Sequence, residues 1–198
     1  MEKNIEKYVF VKQNFLDNEF CQHIIKDLNQ LNAWKKHEWT TYDPKQEQIF
    51  VSNSPSGKNE PEIIPPEIQL EDINDFLGQK ILKVAAEYID SLKFEWFDAP
   101  FYSLSYLKYI KYSLNQTMKV HCDHIHDVFD GKNRGIPILT VIGILNDDYE
   151  GGNLVMFEDK KINTKEGDLI IFPSLFLFPH EIESITKGIR YSYTAWMW

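Results

Sequence analysis

The chain has 198 residues, enough for one well-buried domain and too few for two comfortable ones. Its formal charge of −9 argues against a phosphate-binding surface, so no nucleic-acid partner is expected. The only cysteines, Cys21 and Cys122, lie far apart in the sequence and imply no disulfide framework. No apolar run resembles a signal peptide or reaches membrane length, so the sequence predicts a cytoplasmic protein without a membrane partner.

Residues 1–100 are predicted to form a helical support region after a short lead-in strand, Tyr8 to Val11. Asp17 can cap a first helix, whose apolar positions recur at helical spacing: Phe20, Ile24, Leu28 and Leu31. The segment from His37 to Pro66 is polar and rich in proline, and it predicts a long, mobile connection. A second helix is expected from about Asp72 to Leu92, with a buried stripe of Ile73, Phe76, Leu77, Val84, Tyr88 and Leu92.

Residues 101–198 have a different pattern, in which short β-rich runs alternate with turn residues. The runs are Tyr102 to Tyr112, Met118 to Asp123, Ile138 to Leu145, Leu154 to Phe157, Leu169 to Phe172 and Tyr191 to Trp198. Many short strands separated by turns favour a sandwich or barrel. We therefore expect an α+β protein, a single domain over residues 1–198, with two helices packed outside a small β-barrel.

A cluster of side chains that commonly bind metals follows one predicted strand. His121 and Asp123 lie two residues apart, so on a strand both point to the same face and can reach one metal ion. His180 taken alone is typical of the border of a core, but it is the only histidine downstream of the cluster at residues 121–127 and could complete a facial triad. A rival register uses His124 and His126, an HxH pair like that of cupins. The strand-like alternation before His121 favours the first register, and the simplest alternative is a polar loop with solvated histidines.

The last predicted strand carries a cation. Alternation places Arg190, Ser192, Thr194 and Trp196 on one face of this strand. If that face is inward, Arg190 is a buried charge that needs an anion, and no regular acidic partner is evident nearby. A bound carboxylate could accept two parallel hydrogen bonds from Arg190 and a third from Thr194. The alternative is a surface arginine on an edge strand, with Tyr191 and Tyr193 facing the core.

Several motifs of the C-terminal half occur in a specific order. They are Lys111-Tyr112, His121-Cys122-Asp123, Thr140 to Asp147, Gly151 to Val155, Lys165 to Ser174 and His180 to Trp196. In this order they resemble the catalytic domain of the prolyl 4-hydroxylase branch of the 2-oxoglutarate/Fe(II) dioxygenases. The segment from Asn14 to Cys21 is similar to the entry into the family's first helix.

The resemblance implies a double-stranded β-helix, a jelly-roll or cupin-like barrel, in which His121, Asp123 and His180 hold Fe(II). It implies 2-oxoglutarate and O₂ as co-substrates and ascorbate as a candidate reductant. Arg190 and Thr194 would hold the distal carboxylate of 2-oxoglutarate, and Tyr112 would donate a hydrogen bond to it. The implied reaction is hydroxylation of a peptidyl proline, with release of succinate and CO₂.

Other functions stay open from the sequence. A cupin-like metal- or ligand-binding protein would need neither an inward Arg190 nor 2-oxoglutarate, and a free amino acid or other small molecule could be the substrate. A nucleobase dealkylase of the same superfamily is disfavoured. Such relatives carry a further arginine shortly after the one that binds the co-substrate, and here no arginine follows Arg190.

The sequence departs from the family pattern at three positions. Asn115, Met118 and Ile144 stand where relatives often carry a glycine, an aromatic residue and a tyrosine, respectively. The segments 37–66 and 124–137 are predicted to cover an extended peptide as a lid.

Overall fold

The computed structural model describes residues 4–43, 48–52, 59–65, 67–68, 70–94, 103–123 and 137–198. Their helices are a 3-10 turn (Ile5–Tyr8), α1 (Asn18–Gln30) and α2 (Glu71–Leu92). Their strands before α2 are β1 (Phe10–Lys12), β2 (Lys35–Lys36), β3 (Trp39–Asp43), β4 (Gln48–Ser52) and β5 (Glu62–Ile63). The strands after α2 are β6 (Lys108–Tyr112), β7 (Met118–His121), β8 (Leu139–Ile144), β9 (Glu150–Gly151), β10 (Leu154–Met156), β11 (Lys160–Ile162), β12 (Leu169–Pro173), β13 (His180–Ile182), β14 (Ile185–Lys187) and β15 (Arg190–Met197). Within these ranges, no helix combines the length and the apolar character needed to cross a membrane.

Both long helices lie where the sequence predicts them. The Asp17 carboxylate accepts a hydrogen bond of 2.8 Å from the Phe20 backbone N–H and so caps α1. The predicted stripe of α2 is wrong at Phe76, whose side chain is 48% exposed. The buried residues of this helix are Leu77, Ile81, Val84, Ala85 and Tyr88. With 3.6 residues per turn, Phe76 lies about 100° around the helix from Leu77 and faces away from the sheet.

Two antiparallel sheets are built mainly from strands of the C-terminal half, and three N-terminal strands extend the larger one. The larger has seven strands in the order β1-β12-β8-β15-β6-β5-β2, and the smaller has four in the order β11-β10-β13-β7. Two further pairs, β14-β9 and β3-β4, complete the strands of the described residues. The smaller sheet brings β13 beside β7, although about 60 residues separate them in sequence. This pairing positions the site described below.

The seven-stranded sheet is buried on both faces, because successive side chains of a strand point to opposite sides. On one face, Tyr191, Tyr193, Ala195 and Met197 of β15 pack with the buried residues of α1 and α2. On the other face, residues such as Ile110, Ile144 and Phe172 pack against the four-stranded sheet. Facing antiparallel sheets with helices on one outer face confirm the predicted α+β double-stranded β-helix.

The prediction of a long loop from His37 to Pro66 is wrong for the described part of that segment. Strands β3, β4 and β5 lie within it, with β3 and β4 paired as a hairpin and β5 added to the large sheet. The strand segments contain β-branched and aromatic residue types, whereas Pro61 and Pro65 flank β5 rather than interrupting it. The rival metal pair His124 and His126, with the rest of residues 124–136, lies outside the described residues.

Candidate metal centre and anion pocket

Three side chains of the metal-binding type converge at the junction of β7 and β13. His121 ends β7, His180 begins β13, and the two are direct cross-strand partners with ring centroids 4.4 Å apart. Asp123 follows β7 by two residues. One ligand atom from each of the three residues lies within 4.8 Å of the other two. The structure therefore brings together the three residues that the sequence predicts, on strands that pair only in the folded chain.

Hydrogen bonds turn both imidazoles toward the same point. The Nδ1 of His121 lies 2.8 Å from the carbonyl of Lys119, and the Nδ1 of His180 lies 3.2 Å from the carbonyl of Phe178. A carbonyl only accepts, so each Nδ1 carries a proton and each ring turns its Nε2 away from that carbonyl. The Nε2 atoms face Asp123, at 3.6 Å from Oδ1 for His121 and 3.7 Å from Oδ2 for His180.

The Asp123 carboxylate is held in place from the opposite sheet. Thr140 of β8 donates a hydrogen bond of 2.9 Å to Asp123 Oδ2, and its hydroxyl also lies 2.6 Å from that of Ser174. Burial raises the pKa of Asp123, but His180, His121 and the Thr140 hydroxyl outweigh burial, and the pKa is lowered. The carboxylate is thus ionised near neutral pH.

The donor set fits a divalent metal ion. Burial, reinforced by His180, lowers the pKa of His121 to about 4, so this imidazole is neutral near neutral pH, as a metal ligand must be. The two distances from Nε2 to the carboxylate are longer than a hydrogen bond. They leave a space between three atoms that can each bind a metal ion. Two imidazoles and one carboxylate are the facial set of non-haem Fe(II) sites, which keep open positions for other ligands.

A buried cation lies inside the same barrel. Arg190 is 1% exposed, and its guanidinium carbon lies 5.2 Å from the centre of the Tyr112 ring. Its Nη1 donates to Ser192 Oγ at 2.7 Å, whereas its Nε has no hydrogen-bond partner in the part of the chain that the structure describes. Among the described residues, no carboxylate lies within ion-pair distance of Arg190. The inward position excludes the alternative of a surface arginine on an edge strand, because β15 lies between β8 and β6.

Two neighbouring residues, Gly152 and Tyr112, shape the surroundings of this arginine. Gly152 has a φ of +61°, and a Cβ there would lie 3.2 Å from Arg190 Cδ, so a glycine suits both the backbone and the side chain. Burial raises the pKa of Tyr112, and its phenol therefore stays protonated as a potential donor. Among the described residues, the Nε–H of Arg190 has no hydrogen-bond partner and its charge has no acidic partner. A bound carboxylate would supply both.

Two hydroxyl groups of β15, those of Thr194 and Ser192, differ in their contacts near Arg190. The Thr194 hydroxyl donates to the Val141 carbonyl at 3.0 Å, and it stays a predicted ligand. Ser192 makes the direct contact with the guanidinium, and no role was predicted for its hydroxyl. The alternation along β15 already places Ser192 on the face of Arg190, so that signal was present in the sequence. Thr140 and Ser174 had no such signal. Their contact with each other depends on the pairing of β8 with β12, and the contact of Thr140 with Asp123 depends on the packing of the two sheets.

Facing sheets, a histidine–aspartate–histidine cluster and a buried arginine are the features expected of a non-haem iron oxygenase barrel. Residues 107–198 match the model of the 2OG-Fe(II) oxygenase superfamily. Over 97 residues the chain is 31% identical to a PKHD-type hydroxylase of Thermosynechococcus vestitus, which covers 46% of this chain and 42% of that protein. The chain thus spans well under half the length of that curated relative.

Solved structures share the fold across nearly the whole chain. A viral collagen prolyl hydroxylase of Paramecium Bursaria Chlorella virus-1, in its 2-oxoglutarate complex, has a TM-score of 0.60 at 17% identity, covering 96% of this chain and 94% of that one. A Pseudomonas putida prolyl-4-hydroxylase has a TM-score of 0.62 at 15% identity, covering 96% and 91%. A Trichoplax adhaerens prolyl hydroxylase, bound to a fragment of hypoxia inducible factor, has a TM-score of 0.62 at 18% identity, covering 96% and 83%.

Over residues 107–198 the chain is thus similar to the 2OG-Fe(II) oxygenase superfamily, and it shares the fold of solved prolyl hydroxylases. The family resemblance and the fold predicted from the sequence are both confirmed. The cofactors that the family implies are Fe(II), 2-oxoglutarate and O₂.

Proposed function

We propose that this protein is a 2-oxoglutarate- and Fe(II)-dependent dioxygenase that hydroxylates its substrate and releases succinate and CO₂. One observation carries the proposal. Three metal-type ligand atoms lie within 4.8 Å of one another in a barrel that also buries an arginine, with no acidic partner for it among the described residues. A metal-binding protein of the cupin type would need only the first of these features, so Arg190 favours the oxygenase.

Each residue has a stated role in the proposal. His121, Asp123 and His180 hold Fe(II), with both imidazoles oriented by backbone carbonyls. Arg190 holds the distal carboxylate of 2-oxoglutarate, and Ser192 orients the guanidinium. Tyr112 is a further donor, and Thr194 becomes one when its hydroxyl turns from the Val141 carbonyl to the ligand. When bound, the iron and 2-oxoglutarate supply the oxidising chemistry, and the protein supplies orientation and the exclusion of water.

We further propose a peptidyl proline as the substrate. The relatives named as prolyl hydroxylases support this choice, as does the peptide in the Trichoplax complex. Apolar side chains also surround the metal-type cluster. Trp39 packs edge-on against His121 with ring centroids 5.4 Å apart, and Phe176 is 75% exposed in the loop before His180. The Phe176 carbonyl lies 3.4 Å from Cys122 Sγ, which fixes this loop beside the cluster.

Two secondary proposals concern the setting of the enzyme. Ascorbate is proposed as the reductant that keeps the iron ferrous. A reducing, cytoplasmic location is proposed because both cysteines of the chain, Cys21 and Cys122, are free thiols. The lid role predicted for segments 37–66 and 124–137 also stays a proposal, with Trp39 as its described contact to the site.

The test is succinate release from 2-oxoglutarate by the purified protein with Fe(II) and ascorbate. Wild-type protein and Asp123→Ala are compared, with and without proline-containing peptides, and hydroxylated peptide is measured by mass spectrometry. We expect metal-dependent succinate release by the wild type only, rising with a productive peptide. Metal binding without any 2-oxoglutarate turnover would favour the cupin-like alternative. Turnover with no hydroxylated peptide would assign the protein to another substrate class.

A further inference from the structure

A second cation lies inside the barrel, at the other end of the strand pair that carries Arg190. Lys108 begins β6, and alternation places it on the same face as Tyr112. Tyr112 pairs with Arg190 across the sheet, whereas Lys108 pairs with Thr194. Four residues of strand, roughly 13 Å at ~3.3 Å per residue, therefore separate the two backbone positions.

The Lys108 ammonium extends away from Arg190. Its Nζ lies 6.0 Å from the centre of the Trp196 ring, one inward position beyond Thr194 on β15. Arg190 instead reaches Ser192 near the other end of the strand. The two cations are therefore not arranged to share one carboxylate, and Lys108 is available to a different anion.

A buried histidine fixes the position of the ammonium. Lys108 Nζ lies 2.9 Å from His37 Nε2, and because an ammonium only donates, this nitrogen accepts. The His37 Nδ1 then carries the proton and faces Glu60 Oε2 at 3.6 Å. The His37 backbone N–H donates to the Pro61 carbonyl at 2.8 Å, so this histidine is anchored through both its side chain and its backbone. The ammonium is thereby held on one side and keeps further donors.

The electrostatic surroundings of Lys108 lack a direct counter-ion. Within the described ranges, no carboxylate oxygen lies within ion-pair distance of its Nζ. Burial lowers the pKa of Lys108 to about 8, against the opposing influence of Asp123 and Glu60. The group is thus still largely charged at neutral pH. Asp123 is a proposed metal ligand, so a bound metal would balance its charge and leave Lys108 with less compensation.

We propose that Lys108, positioned by His37, binds a carboxylate of the substrate beside the metal centre. This inference rests on the proposed dioxygenase function and narrows its substrate class. The substrate carries an acid close to the carbon that is hydroxylated. The acid is either the α-carboxylate of a free amino acid or the side chain of an acidic residue next to the target residue of a peptide.

The test compares acids with their neutral amides. The first probe panel contains the free L-amino acids and the corresponding amino-acid amides. The second contains blocked proline peptides with glutamate or glutamine beside the proline. Binding is measured by calorimetry to protein holding 2-oxoglutarate and redox-inert Zn(II), and succinate release is measured separately with Fe(II). The variants are Lys108→Met, Lys108→Arg and the control Lys111→Met, whose lysine lies on the other face of β6 and pairs with Glu62 at 2.7 Å.

We expect at least one probe pair in which wild-type protein prefers the acid by tenfold or more. Lys108→Met should remove that preference, while Lys108→Arg and Lys111→Met should keep it. A preference in the first panel identifies a free amino acid as the source of the carboxylate, and a preference in the second identifies an acidic peptide.

The inference is overturned if neither panel shows a preference for the acid in the wild type, or if the preference persists in Lys108→Met. Loss of 2-oxoglutarate binding in Lys108→Met would overturn it too, by assigning Lys108 to the co-substrate. Failure of the proposed function has a different signature, the absence of succinate release by the wild type.

Discussion

The guanidinium of Arg190 contacts Tyr112 and Ser192, yet its Nε–H has no partner among the residues that the structure describes. An unpaired buried donor on a buried charge is unfavourable, and a carboxylate ligand relieves both problems at once. The same reasoning applies to the paired imidazoles, whose Nε2 atoms face the Asp123 carboxylate at distances longer than a hydrogen bond. At the scale of single residues, these groups are arranged for ligands rather than for one another.

The first prediction concerns Arg190→Met, which removes the charge and keeps much of the apolar stem. Loss of a desolvated charge pair costs about 2–5 kcal/mol, so 2-oxoglutarate affinity should fall by more than tenfold. Affinity is measured by calorimetry on Zn(II)-loaded protein, and metal affinity is measured in parallel. Unchanged 2-oxoglutarate binding would show that Arg190 does not hold the co-substrate.

The second prediction concerns Thr140→Val, which removes the hydroxyl that donates to Asp123. Loss of such an outer-shell contact to a metal ligand typically reduces metal affinity by about 10–100-fold. The matched control is Thr117→Val, which removes a buried hydroxyl that donates to the Ile182 carbonyl at 2.6 Å and does not contact Asp123. Competition with a metal-sensitive dye gives both affinities. Equal affinities for the two variants would exclude a role for Thr140 in orienting Asp123.

At the scale of elements, long patterned segments were predictable and short ones were not. The periodicity of α2 and the alternation of β15 are repeated over enough residues to be read directly from the sequence. Strands β13 and β14 have three residues each, too few to show a pattern. The cross-strand contact between His121 and His180 depends on long-range pairing, so the sequence predicted the ligand set but not the strand contact that forms it. The hairpin β3-β4 was missed because nearby prolines outweighed its strand-forming residues.

The third prediction concerns Gly143 in the centre of β8. A Cβ there would lie 2.0 Å from the ring of Tyr193, its cross-strand partner on β15, so the ring or the strands must shift. Overpacking of this kind costs about 1–3 kcal/mol, and Gly143→Ala should lower the free energy of unfolding accordingly. Urea unfolding followed by circular dichroism measures the effect.

Gly78→Ala is the matched control for that prediction. Gly78 lies in α2, and a Cβ there meets only Leu104 at an ordinary 3.5 Å. Alanine favours a helix over glycine by up to about 1 kcal/mol, so this variant should be as stable as the wild type or more stable. A Gly143→Ala protein with wild-type stability would mean that β8 and β15 do not pack as the structure has them.

At the scale of the whole molecule, two partly buried histidines couple folding to pH. Burial, assisted by Lys108, lowers the pKa of His37 to about 4, and burial together with His180 lowers that of His121 to about 4. Their ordinary value is 6.5, so between pH 6.5 and 4 the unfolded chain binds more protons than the folded chain. Stability is therefore lost as the pH falls through this window.

The fourth prediction follows from that coupling. The urea midpoint of the metal-free protein should decrease steadily as the pH is lowered from about 7 to about 4. In His37→Gln the slope of this decrease should be smaller, because one of the two titrating groups is gone. A midpoint that does not change over this pH range would contradict the buried, neutral state of both imidazoles.

The central claim is that the histidine–aspartate–histidine cluster and Arg190 form one site for a metal ion and 2-oxoglutarate. Anaerobic titration of 2-oxoglutarate into the protein, with and without Fe(II), tests it most directly. The account predicts one bound 2-oxoglutarate per chain, with affinity at least tenfold higher in the presence of Fe(II). This gain should vanish in Asp123→Ala and persist in His23→Ala, which changes a largely exposed histidine of α1. Equal affinity with and without Fe(II), or an undiminished gain in Asp123→Ala, would contradict the account.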